Sequence, residues 1–331
     1  MIKKRVLMLD KVSEKMEVLC RKYLSKDAEI FFCNNDISRE NHLTSSEVLV
    51  TFTNGVSASW IRKAEKCVFI QKLGAGVNNI DIEEASQKKI MVANTTGLNA
   101  TSVAEHSVML MVSSLKHLVT AHNNIVNDDR WLKTDLRDQS YELSYKKVGL
   151  IGFGNIGKEV RRLLKGYECK VFYFDAIRLS EEMENKLDIT YMELEQLIQE
   201  SDVVSLHVPL TNDTHHLINE ERLRRMKKTA VIVNTCRGGV IDETALYEVL
   251  KSGHLTGAGL DVFETEPITK RNKLANLPNV IMTPHIGGGT NEAMEAVLKS
   301  AFENINSILT TGKVANINSV VNLKEMQSYL A

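Results

Sequence analysis

The segment "VGLIGFGNIGKEVRRLL", from Val148 to Leu164, constrains the fold more than any other stretch of this chain. An apolar run leads into Gly152, Gly154 and Gly157 in the pattern G-x-G-x-x-G, and a helical pattern follows them. The glycines alone are a weak signal, but glycines between a strand and a helix form the turn that binds a dinucleotide pyrophosphate. The segment therefore predicts a dinucleotide-binding βαβ unit.

Each glycine of this segment has its own predicted task. Gly152 permits the tight turn, Gly154 lets the backbone approach the pyrophosphate, and Gly157 lets the helix pack against the strand. The backbone amides of Asn155 and Ile156, at the start of the helix, are expected to point at the anion.

An acidic residue predicts which dinucleotide is bound. Eighteen residues after Gly157, the run "KVFYFD" ends in Asp175. A carboxylate at this place accepts hydrogen bonds from the adenosine ribose and repels a 2′-phosphate, so the sequence predicts NAD rather than NADP. Arg178 is close enough along the chain to temper that preference.

Short β-branched apolar runs alternate with helical patterns in two series, one before residue 74 and one from Val148 onwards. Such alternation predicts parallel sheets covered on both faces, and 331 residues suffice for about two domains. We therefore predict an α/β protein with two doubly wound parallel-sheet domains and a cleft between them, where small ligands usually bind. The predicted strands are RVLML, EIFF, EVLVTF and VFIQKL, then VGLIG, KVFYFD, DVVSLHV, AVIVNT, GAGLDV and VIMTPH.

The two series are joined by a stretch of 28 residues, "NATSVAEHSVMLMVSSLKHLVTAHNNIV", which contains no proline or glycine. Ser102 and Glu105 fit a capping box, which predicts that a long helix starts there. The segment from Val108 to Val112 is apolar nearly all round. Such a helix is expected to be buried, either between domains or in a subunit interface.

Charge and cysteine usage exclude several classes of protein. The chain carries 41 Lys and Arg against 42 Asp and Glu, a balance that favours neither nucleic acid nor an anionic membrane as partner. Its five cysteines have no paired spacing, which argues against a zinc site and a disulfide framework and fits a reducing cytosol. No apolar run approaches the ~18 residues of a membrane span, and Asp10 and Lys11 interrupt the N-terminal apolar patch before it could form a signal peptide. We expect a cytoplasmic protein.

Ligands of open α/β sheets bind beyond the carboxyl ends of the strands. A lone histidine there is commonly structural, an arginine commonly forms a surface ion pair, and loop acids are commonly solvated. An arginine, an acid and a histidine on one edge are nevertheless the groups that redox chemistry on an α-hydroxy acid needs. No histidine or cysteine lies at ligand spacing from the last histidine, so no metal site is predicted. The candidates are His207, Cys236, Arg237, Asp261, Glu264, Glu266 and His285.

Several of these segments, taken together, resemble the D-isomer-specific 2-hydroxyacid dehydrogenase family over essentially the whole chain. They are "GFGNIG", "NTCRGGVIDETAL", "GAGLDVFETEP" and "TPHIGG", with "KLGAGVNNID" and "NATSVAEH" before them. The resemblance implies a flavodoxin-like substrate domain from residues 1–97 and 292–331 and a Rossmann NAD domain from residues 98–291. It also implies a homodimer formed through a helix and arm at residues 99–145.

The same resemblance implies three catalytic residues. Arg237 would bind the substrate carboxylate and polarise the C2 oxygen, a task that suits a planar guanidinium better than an ammonium group. His285 would be the acid/base, taking the hydroxyl proton as hydride leaves C2 and returning it in the reverse reaction. Glu266 would pair with His285 and orient its ring.

Further contacts are implied by matching the same motifs. Asp261 would hold the nicotinamide carboxamide, and the amides of Gly76 and Val77 would bind the substrate carboxylate. Asn54 and Gly55 would also contact the substrate. The other residues expected to line the cofactor are Thr101, His207, Pro209, Thr235, Cys236 and Gly287.

The function predicted from these residues is NAD-dependent, reversible hydride transfer to a small unphosphorylated 2-keto acid, of the hydroxypyruvate, glyoxylate or pyruvate type. Three alternatives stay open. D-3-phosphoglycerate dehydrogenase is disfavoured because the segment from Val50 to Trp60 has no basic residue, although Arg62, Lys63 or a partner subunit could supply one, and because we expect no added regulatory domain after residue 331. The formate-oxidising branch has glutamine where this chain has Glu266. An NAD(H)-sensing, corepressor-like binding protein could share the fold.

Overall fold

The computed structural model describes residues 3–33 and 36–328. The chain forms two compact units, one from Met1–Asn99 with Thr290–Ala331 and the other from Ala100–Gly289. Each unit contains one sheet in which all paired strands are parallel. The predicted fold class is therefore confirmed in its two parallel-sheet α/β domains. Among the described residues, no helix is both long and apolar enough to cross a bilayer.

The first unit, which holds both chain ends, has five strands: β1 Lys4–Met8, β2 Ala28–Phe32, β3 Val48–Thr51, β4 Phe69–Lys72 and β5 Met91–Ala93. Their order in the sheet is β2-β1-β3-β4-β5, which is the order of flavodoxin-like doubly wound folds. The helices are α1 Glu14–Tyr23, α2 Asp36–Leu43, α3 Ala58–Lys63 and α4 Ile82–Gln87, with α13 Asn291–Thr311 and α14 Leu323–Ser328 added from the C-terminal segment.

Alternation along β1 shows how this sheet is buried on both faces. Val6 and Met8 pack in one apolar cluster with Phe302 of α13, whereas Leu7 packs in a second cluster with Ile61 of α3. Successive side chains of a strand point to opposite faces, so an apolar strand without interruption needs helices on both sides. The C-terminal helix α13 thus completes the core of the N-terminal unit.

The second unit has seven strands: β6 Lys147–Ile151, β7 Lys170–Phe174, β8 Thr190–Tyr191, β9 Val203–Leu206, β10 Val231–Asn234, β11 Gly257–Leu260 and β12 Val280–Met282. Their order is β12-β11-β10-β9-β6-β7-β8, and the crossover from β6 to β9 at the centre is that of a Rossmann fold. The helices are α5 Ala100–Leu115, α6 Leu118–Asp128, α7 Lys133–Gln139, α8 Asn155–Leu164, α9 Glu181–Leu187, α10 Leu194–Glu200, α11 Glu220–Arg225 and α12 Glu243–Lys251. Short 3₁₀ helices lie at Lys165–Tyr167, Gly238–Val240, Lys273–Asn276 and Ile317–Ser319.

The ten predicted strands are present, but β5 and β8 were not predicted. β5 has three residues and β8 has two, which is too short for a period of two to stand out. Each of them pairs at one edge of its sheet. The sequence prediction therefore covered the strands that form the centre of each sheet.

The long helix predicted between the two series is present in altered form. It begins at Ala100 rather than at Ser102, so Ser102 is a buried residue inside the first turn and the capping-box prediction was wrong. It ends at Leu115, because His117 adopts a left-handed backbone with φ 51° before α6 begins. The helix is buried, as predicted, but against the sheet of its own unit. It lies so close to β11 that a Cβ on Gly259 would be 2.8 Å from Leu110 Cβ.

Candidate active site

The glycine-rich turn connects β6 to α8, and its three glycines differ in their surroundings. Gly152 has φ +95°, and a Cβ there would lie 2.6 Å from the backbone of His207. A Cβ on Gly157 would lie 2.4 Å from the carbonyl oxygen of Gly152, whereas a Cβ on Gly154 would meet nothing within 4 Å. Gly152 and Gly157 are therefore required by the packing of the protein itself. Gly154 leaves open space at the start of α8, where backbone amides have no intrahelical acceptor.

Asp175, directly after β7, is held beside this turn. Its Oδ2 accepts a hydrogen bond of 2.6 Å from the backbone amide of Phe153, and its Oδ1 accepts one of 3.2 Å from the amide of Ile177. The carboxylate is thus fixed next to the residue between the first two glycines. The open space at Gly154 and this fixed carboxylate fit a pyrophosphate and an adenosine ribose. Arg178, three residues on, is bound to Glu184.

Several of the residues predicted to line the cofactor lie on the same edge of the sheet, directly after β9 and β10. His207 bonds through Nε2 to Ser205 Oγ at 3.0 Å, and its buried Nδ1 has no partner within the described chain. Burial lowers the pKa of His207 to about 3, so its ring is neutral. The unsatisfied nitrogen is a polar group that a ligand could satisfy.

Other predicted cofactor residues direct their side chains into the protein. The hydroxyl of Thr235 lies 2.8 Å from that of Ser107, and the buried Cys236 thiol donates to Asn234 Oδ1 at 3.1 Å. Burial raises the pKa of Cys236 to about 11. Both side chains are thus engaged within the protein. Thr101, in the first turn of α5, donates from its hydroxyl to Glu159, and the Pro209 carbonyl accepts from Thr214.

His285 follows β12 and is paired with Glu266 from the loop after β11. Its Nδ1 lies 2.8 Å from Glu266 Oε2, while the other carboxylate oxygen accepts the backbone amide of Phe263 at 3.0 Å. A carboxylate can only accept, so Nδ1 carries the proton and Nε2 is left with a lone pair or a second proton. The backbone of His285 is left-handed, with φ 53°, a conformation that is uncommon for residues other than glycine and is concentrated at functional sites.

The loop that carries His285 is built around the buried carboxylate of Asp261. Its Oδ1 accepts the amide of Ile286 and the hydroxyl of Thr283, and its Oδ2 accepts the amide of Gly287 at 2.8 Å. His106 Nε2 lies 2.8 Å from the same Thr283 hydroxyl. Burial raises the pKa of the Asp261 carboxyl, but the hydrogen bonds from His106, Thr283 and the two amides outweigh it and leave the pKa below its ordinary value. Asp261 therefore holds the segment from 283 to 287 in place, and the Gly287 amide is already occupied.

Arg237 lies two strands away from His285, on the same edge. It follows β10, and β11 alone separates β10 from β12, so the two strands are about 10 Å apart. The loops after β10 and β11 are in direct contact, since a Cβ on Gly238 would overlap the backbone of Phe263. The Arg237 guanidinium donates to the Cys236 carbonyl oxygen and has no carboxylate partner in the part of the chain that the structure describes. It remains a free cation for an anionic ligand.

Glu264, the other acid of this loop, is engaged elsewhere. Its Oε1 lies 2.9 Å from Nε2 of His216 and accepts the backbone amide of Glu243 at 3.2 Å. This pair resembles the one between Glu266 and His285 in distance and exposure but belongs to the packing of α12. Glu264 is therefore a structural residue.

The substrate-contacting residues predicted in the N-terminal unit lie in the loops after β3 and β4. The Asn54 side chain donates to the Leu9 carbonyl at 2.7 Å, so its amide nitrogen is used within the protein. Gly55 is exposed, and a Cβ there would come within 3.0 Å of the Asn79 carbonyl oxygen. The backbone amides of Gly76 and Val77 donate to no group of the described residues, which leaves them available to an anion.

A buried carboxylate that the sequence analysis did not select holds the loop after β3. Asp10 accepts the backbone amides of Phe52, Thr53 and Asn54 at 2.6, 2.7 and 2.8 Å. Burial raises its pKa, but these bonds and one from the Thr53 hydroxyl outweigh burial and leave the pKa below its ordinary value. Asp10 could have been selected from the sequence, because this acid directly follows the predicted strand RVLML. His106 was also missed, although it lies within the quoted segment "NATSVAEH".

The comparisons with known proteins agree with this arrangement. Residues 108–287 match the family model described as "D-isomer specific 2-hydroxyacid dehydrogenase, NAD binding domain". The chain is 43% identical over 252 residues to a hydroxypyruvate reductase of Thermotoga maritima, covering 76% of this chain and 80% of that protein. It is 38% identical over 255 residues to a glyoxylate reductase of Korarchaeum cryptofilum, covering 76% of both chains.

The solved structures contain the same fold. A formate dehydrogenase from Staphylococcus aureus, crystallised in complex with NAD, superposes with a TM-score of 0.83 at 26% identity and covers 96% of this chain and 98% of its own. The matched family model spans more than half of the 331 residues, and its domain binds NAD. The chain belongs to the D-isomer specific 2-hydroxyacid dehydrogenase family and is an NAD-dependent oxidoreductase.

Proposed function

We propose that this enzyme reduces a small unphosphorylated 2-keto acid, glyoxylate or hydroxypyruvate, to the corresponding 2-hydroxy acid. The observation that carries the proposal is that two groups lie on one edge of a dinucleotide-binding sheet: the His285 imidazole, anchored by Glu266, and the Arg237 guanidinium, which has no acidic partner among the described residues. The relatives from T. maritima and K. cryptofilum are named for these two substrates. The reaction class is reversible, so oxidation of the hydroxy acid uses the same groups.

Arg237 binds the anionic end of the substrate in this mechanism. A guanidinium presents two parallel N–H groups that match the two oxygens of a carboxylate, and a third N–H is left to polarise the C2 carbonyl. Because Arg237 has no acidic partner among the described residues, no ion pair has to be broken when the substrate binds. Lysine cannot form the same fork, so replacement of Arg237 by lysine removes orientation as well as affinity.

His285 moves the proton. In reduction, its Nε2–H donates to the C2 oxygen, and in oxidation Nε2 takes the hydroxyl proton. Glu266 keeps Nδ1 protonated and fixes the plane of the ring, so the proton is exchanged at Nε2 alone. Asp261, Thr283 and His106 hold the loop on which His285 lies. Bound NAD supplies the hydride acceptor, and NADH the hydride donor.

The cofactor is held by the turn and strand ends already described. The amides of Asn155 and Ile156 bind the pyrophosphate at the open space of Gly154, and Asp175 binds the adenosine ribose. The neutral His207 ring and the backbone at Thr235 and Cys236 line the nicotinamide half. The carboxamide contact predicted for Asp261 has to compete with the protein hydrogen bonds that this carboxylate already accepts.

Residues of the N-terminal unit are also proposed as substrate contacts. The amides of Gly76 and Val77 have no acceptor within the described chain, and two adjacent amides suit one carboxylate. Asn54 contributes through the rest of its side-chain amide, which makes one bond to Leu9, because its backbone amide is already bound to Asp10. Asp10 fixes the conformation of this loop.

The charge of the substrate is limited by the cations near that loop, which are engaged within the part of the chain that the structure describes. Arg62 is ion-paired with Glu84, and Lys63 lies 3.0 Å from Glu40. These are the two basic residues that the sequence analysis left open as phosphate ligands, and each is engaged by a carboxylate. Lys72 donates to the Phe52 carbonyl oxygen of the loop itself. The arrangement therefore favours hydroxypyruvate over 3-phosphohydroxypyruvate. The glutamate at position 266 favours an acid/base reaction over formate oxidation.

We propose a homodimer formed through α5, α6 and α7. Large apolar side chains are exposed along α6 and beyond it, among them Leu118, Ile125, Val126 and Trp131. Exposed apolar surface on consecutive helices marks an interface. A cytoplasmic location is proposed because the cysteines are free thiols, all of them buried, as expected in a reducing compartment.

The proposal is tested by following NADH absorbance with a panel of glyoxylate, hydroxypyruvate, pyruvate and 3-phosphohydroxypyruvate. We expect turnover of the first two, with the phosphorylated substrate at least about tenfold lower in kcat/KM because no cation compensates its charge. Dominant activity on 3-phosphohydroxypyruvate would replace the proposal by the phosphoglycerate reaction. NADH binding without turnover of any of the four would favour a cofactor-sensing protein.

A further inference from the structure

A buried carboxylate beside the ribose-binding residue has no part in the mechanism. Glu184, in α9, has a side chain that is 9% exposed and accepts a 2.8 Å hydrogen bond from the hydroxyl of Tyr173. The guanidinium of Arg178 donates two bonds to it, Nε to Oε1 at 2.9 Å and Nη2 to Oε2 at 3.1 Å. Arg178 is also stacked 4.9 Å from the centre of the Tyr191 ring. The arginine is therefore fixed on two sides.

This ion pair lies next to the predicted adenosine site. The Tyr173 hydroxyl accepts the amide of Leu179 at 2.8 Å, and its ring packs 4.9 Å from that of Phe153 in the glycine-rich turn. The Phe153 amide is the one that binds Asp175. Three residues of extended chain span at most about 11 Å, so a released Arg178 side chain starts close to the ribose that Asp175 is proposed to bind.

The charge of Arg178 is neutralised by its ion pair with Glu184. The hydrogen bond from Arg178 lowers the pKa of the Glu184 carboxyl, so the acid is ionised at neutral pH. A buried carboxylate without its cation would be strongly destabilised, which opposes the release of Arg178. In Rossmann folds, an arginine near this strand end is the group that accommodates a 2′-phosphate. Here that arginine is present but already bound.

We propose that Glu184 is a specificity-determining residue for the cofactor, which acts by withholding Arg178 from the 2′-phosphate of NADP. Asp175 excludes the phosphate by repulsion, and Glu184 removes the cation that would otherwise offset this repulsion. The inference rests on the proposed binding of the adenosine ribose at Asp175. It replaces the expectation that Arg178 tempers the preference for NAD.

The experiment measures binding of 2′,5′-ADP and 5′-ADP by calorimetry, so that no turnover is needed. The starting variant is Asp175→Asn, which removes the repulsion but keeps an oxygen for the Phe153 amide. Adding Glu184→Gln should raise the affinity for 2′,5′-ADP relative to 5′-ADP by about tenfold, the low end for a charge-assisted hydrogen bond at an exposed site. Adding Arg178→Ala as well should abolish the gain.

Tyr173→Phe is the matched control, since it also removes a hydrogen bond to Glu184 but leaves the ion pair. Its ratio of the two affinities should stay within about twofold of the starting variant. If Glu184→Gln does not fold, Glu184→Met, which puts an uncharged side chain of similar length in the same place, serves instead. It should raise the ratio in the same way, because it also releases Arg178.

Three results would overturn the inference. One is an unchanged ratio in Glu184→Gln, and another is a gain that persists without Arg178. A third is an equal gain in Tyr173→Phe, which would mean that release of Arg178 is not what raises the ratio. Failure of the native protein to bind 5′-ADP would instead refute the proposed adenosine site, and the inference with it.

Discussion

Replacement of Asp261 by asparagine tests how the catalytic loop is held. The native carboxylate is 2% exposed and accepts hydrogen bonds from Thr283, Ile286 and Gly287. Asparagine offers one accepting oxygen, so its NH2 group faces at least one of these donors. A buried donor left without an acceptor costs about 1–3 kcal/mol, and the bonds that remain lose the strength given by the negative charge. We expect Asp261→Asn to lower the free energy of unfolding by about 2–4 kcal/mol.

The pH dependence of this loss has a definite sign. The pKa of Asp261 is lower in the folded protein than its ordinary value of 3.8. The ionised carboxylate therefore contributes stability above about pH 4, and the contribution is lost as the pH falls through the folded pKa. The difference between the native protein and Asp261→Asn should be full at pH 7 and shrink on acidification below pH ~4.

The assay combines urea unfolding with hydrogen exchange and NADH titration. Amide exchange at Ile286 and Gly287 should become faster, and kcat should fall by about tenfold or more because displacement of a catalytic group by ~1 Å can cost about a hundredfold. Asp27→Asn, whose carboxylate is exposed and has no partner among the described residues, is the matched control and should change stability by less than about 0.5 kcal/mol. Native stability of Asp261→Asn together with a large loss of NADH affinity would refute the reasoning and assign the carboxylate to the bound cofactor.

The remaining predictions concern two glycines of the turn. Gly154→Ala should leave the unfolding midpoint nearly unchanged, because its Cβ meets no atom within 4 Å, but should weaken NADH binding by at least about tenfold where the pyrophosphate approaches. Gly157→Ala should lower the free energy of unfolding by about 1–3 kcal/mol, since its Cβ would lie 2.4 Å from the Gly152 carbonyl oxygen. Thermal unfolding and fluorescence titration of both variants check the two outcomes, and equal effects on stability would contradict the assignment of separate tasks.

Parallel sheets explain why much of the fold could be predicted from the sequence. Their strands are buried on both faces and appear as apolar runs, so the sheet centres were found. Helix α12 follows the same logic, since its buried residues Ala245, Leu246, Val249 and Leu250 stand at helical spacing and Gly253 follows them in a left-handed conformation. The edge strands β5 and β8 were missed because two or three residues are too few to show the period of two that marks a strand.

Candidate residues could be selected from the sequence for a related reason. The carboxyl ends of parallel strands lie on one edge of a sheet, so residues distant along the chain, such as Arg237 and His285, were expected to share that edge. Which side chains pair could not be predicted. The partners of Asp261 and Glu184 come from separate elements, and their hydrogen bonds depend on packing that no local pattern records.

Backbone conformation was the other property that could not be predicted from the sequence. His117 takes a left-handed φ and divides the predicted long helix in two, although histidine is not a helix breaker by propensity. The capping box at Ser102 failed because helical structure extends two residues further towards the N-terminus. Both errors concern helix ends, where the conformation of one residue sets the boundary and hydrophobic periodicity gives no information.

The central claim is that the imidazole of His285 transfers the proton to the substrate. The most direct measurement compares single-turnover oxidation of NADH by glyoxylate in His285→Ala and in His216→Ala, whose histidine pairs with a glutamate at nearly the same distance and exposure. We predict a rate lowered by about a hundredfold to ten-thousandfold in His285→Ala, with NADH affinity retained, and a native rate in His216→Ala. Equal rates in the two variants, or an equal loss of rate and NADH affinity in His285→Ala, would contradict the account.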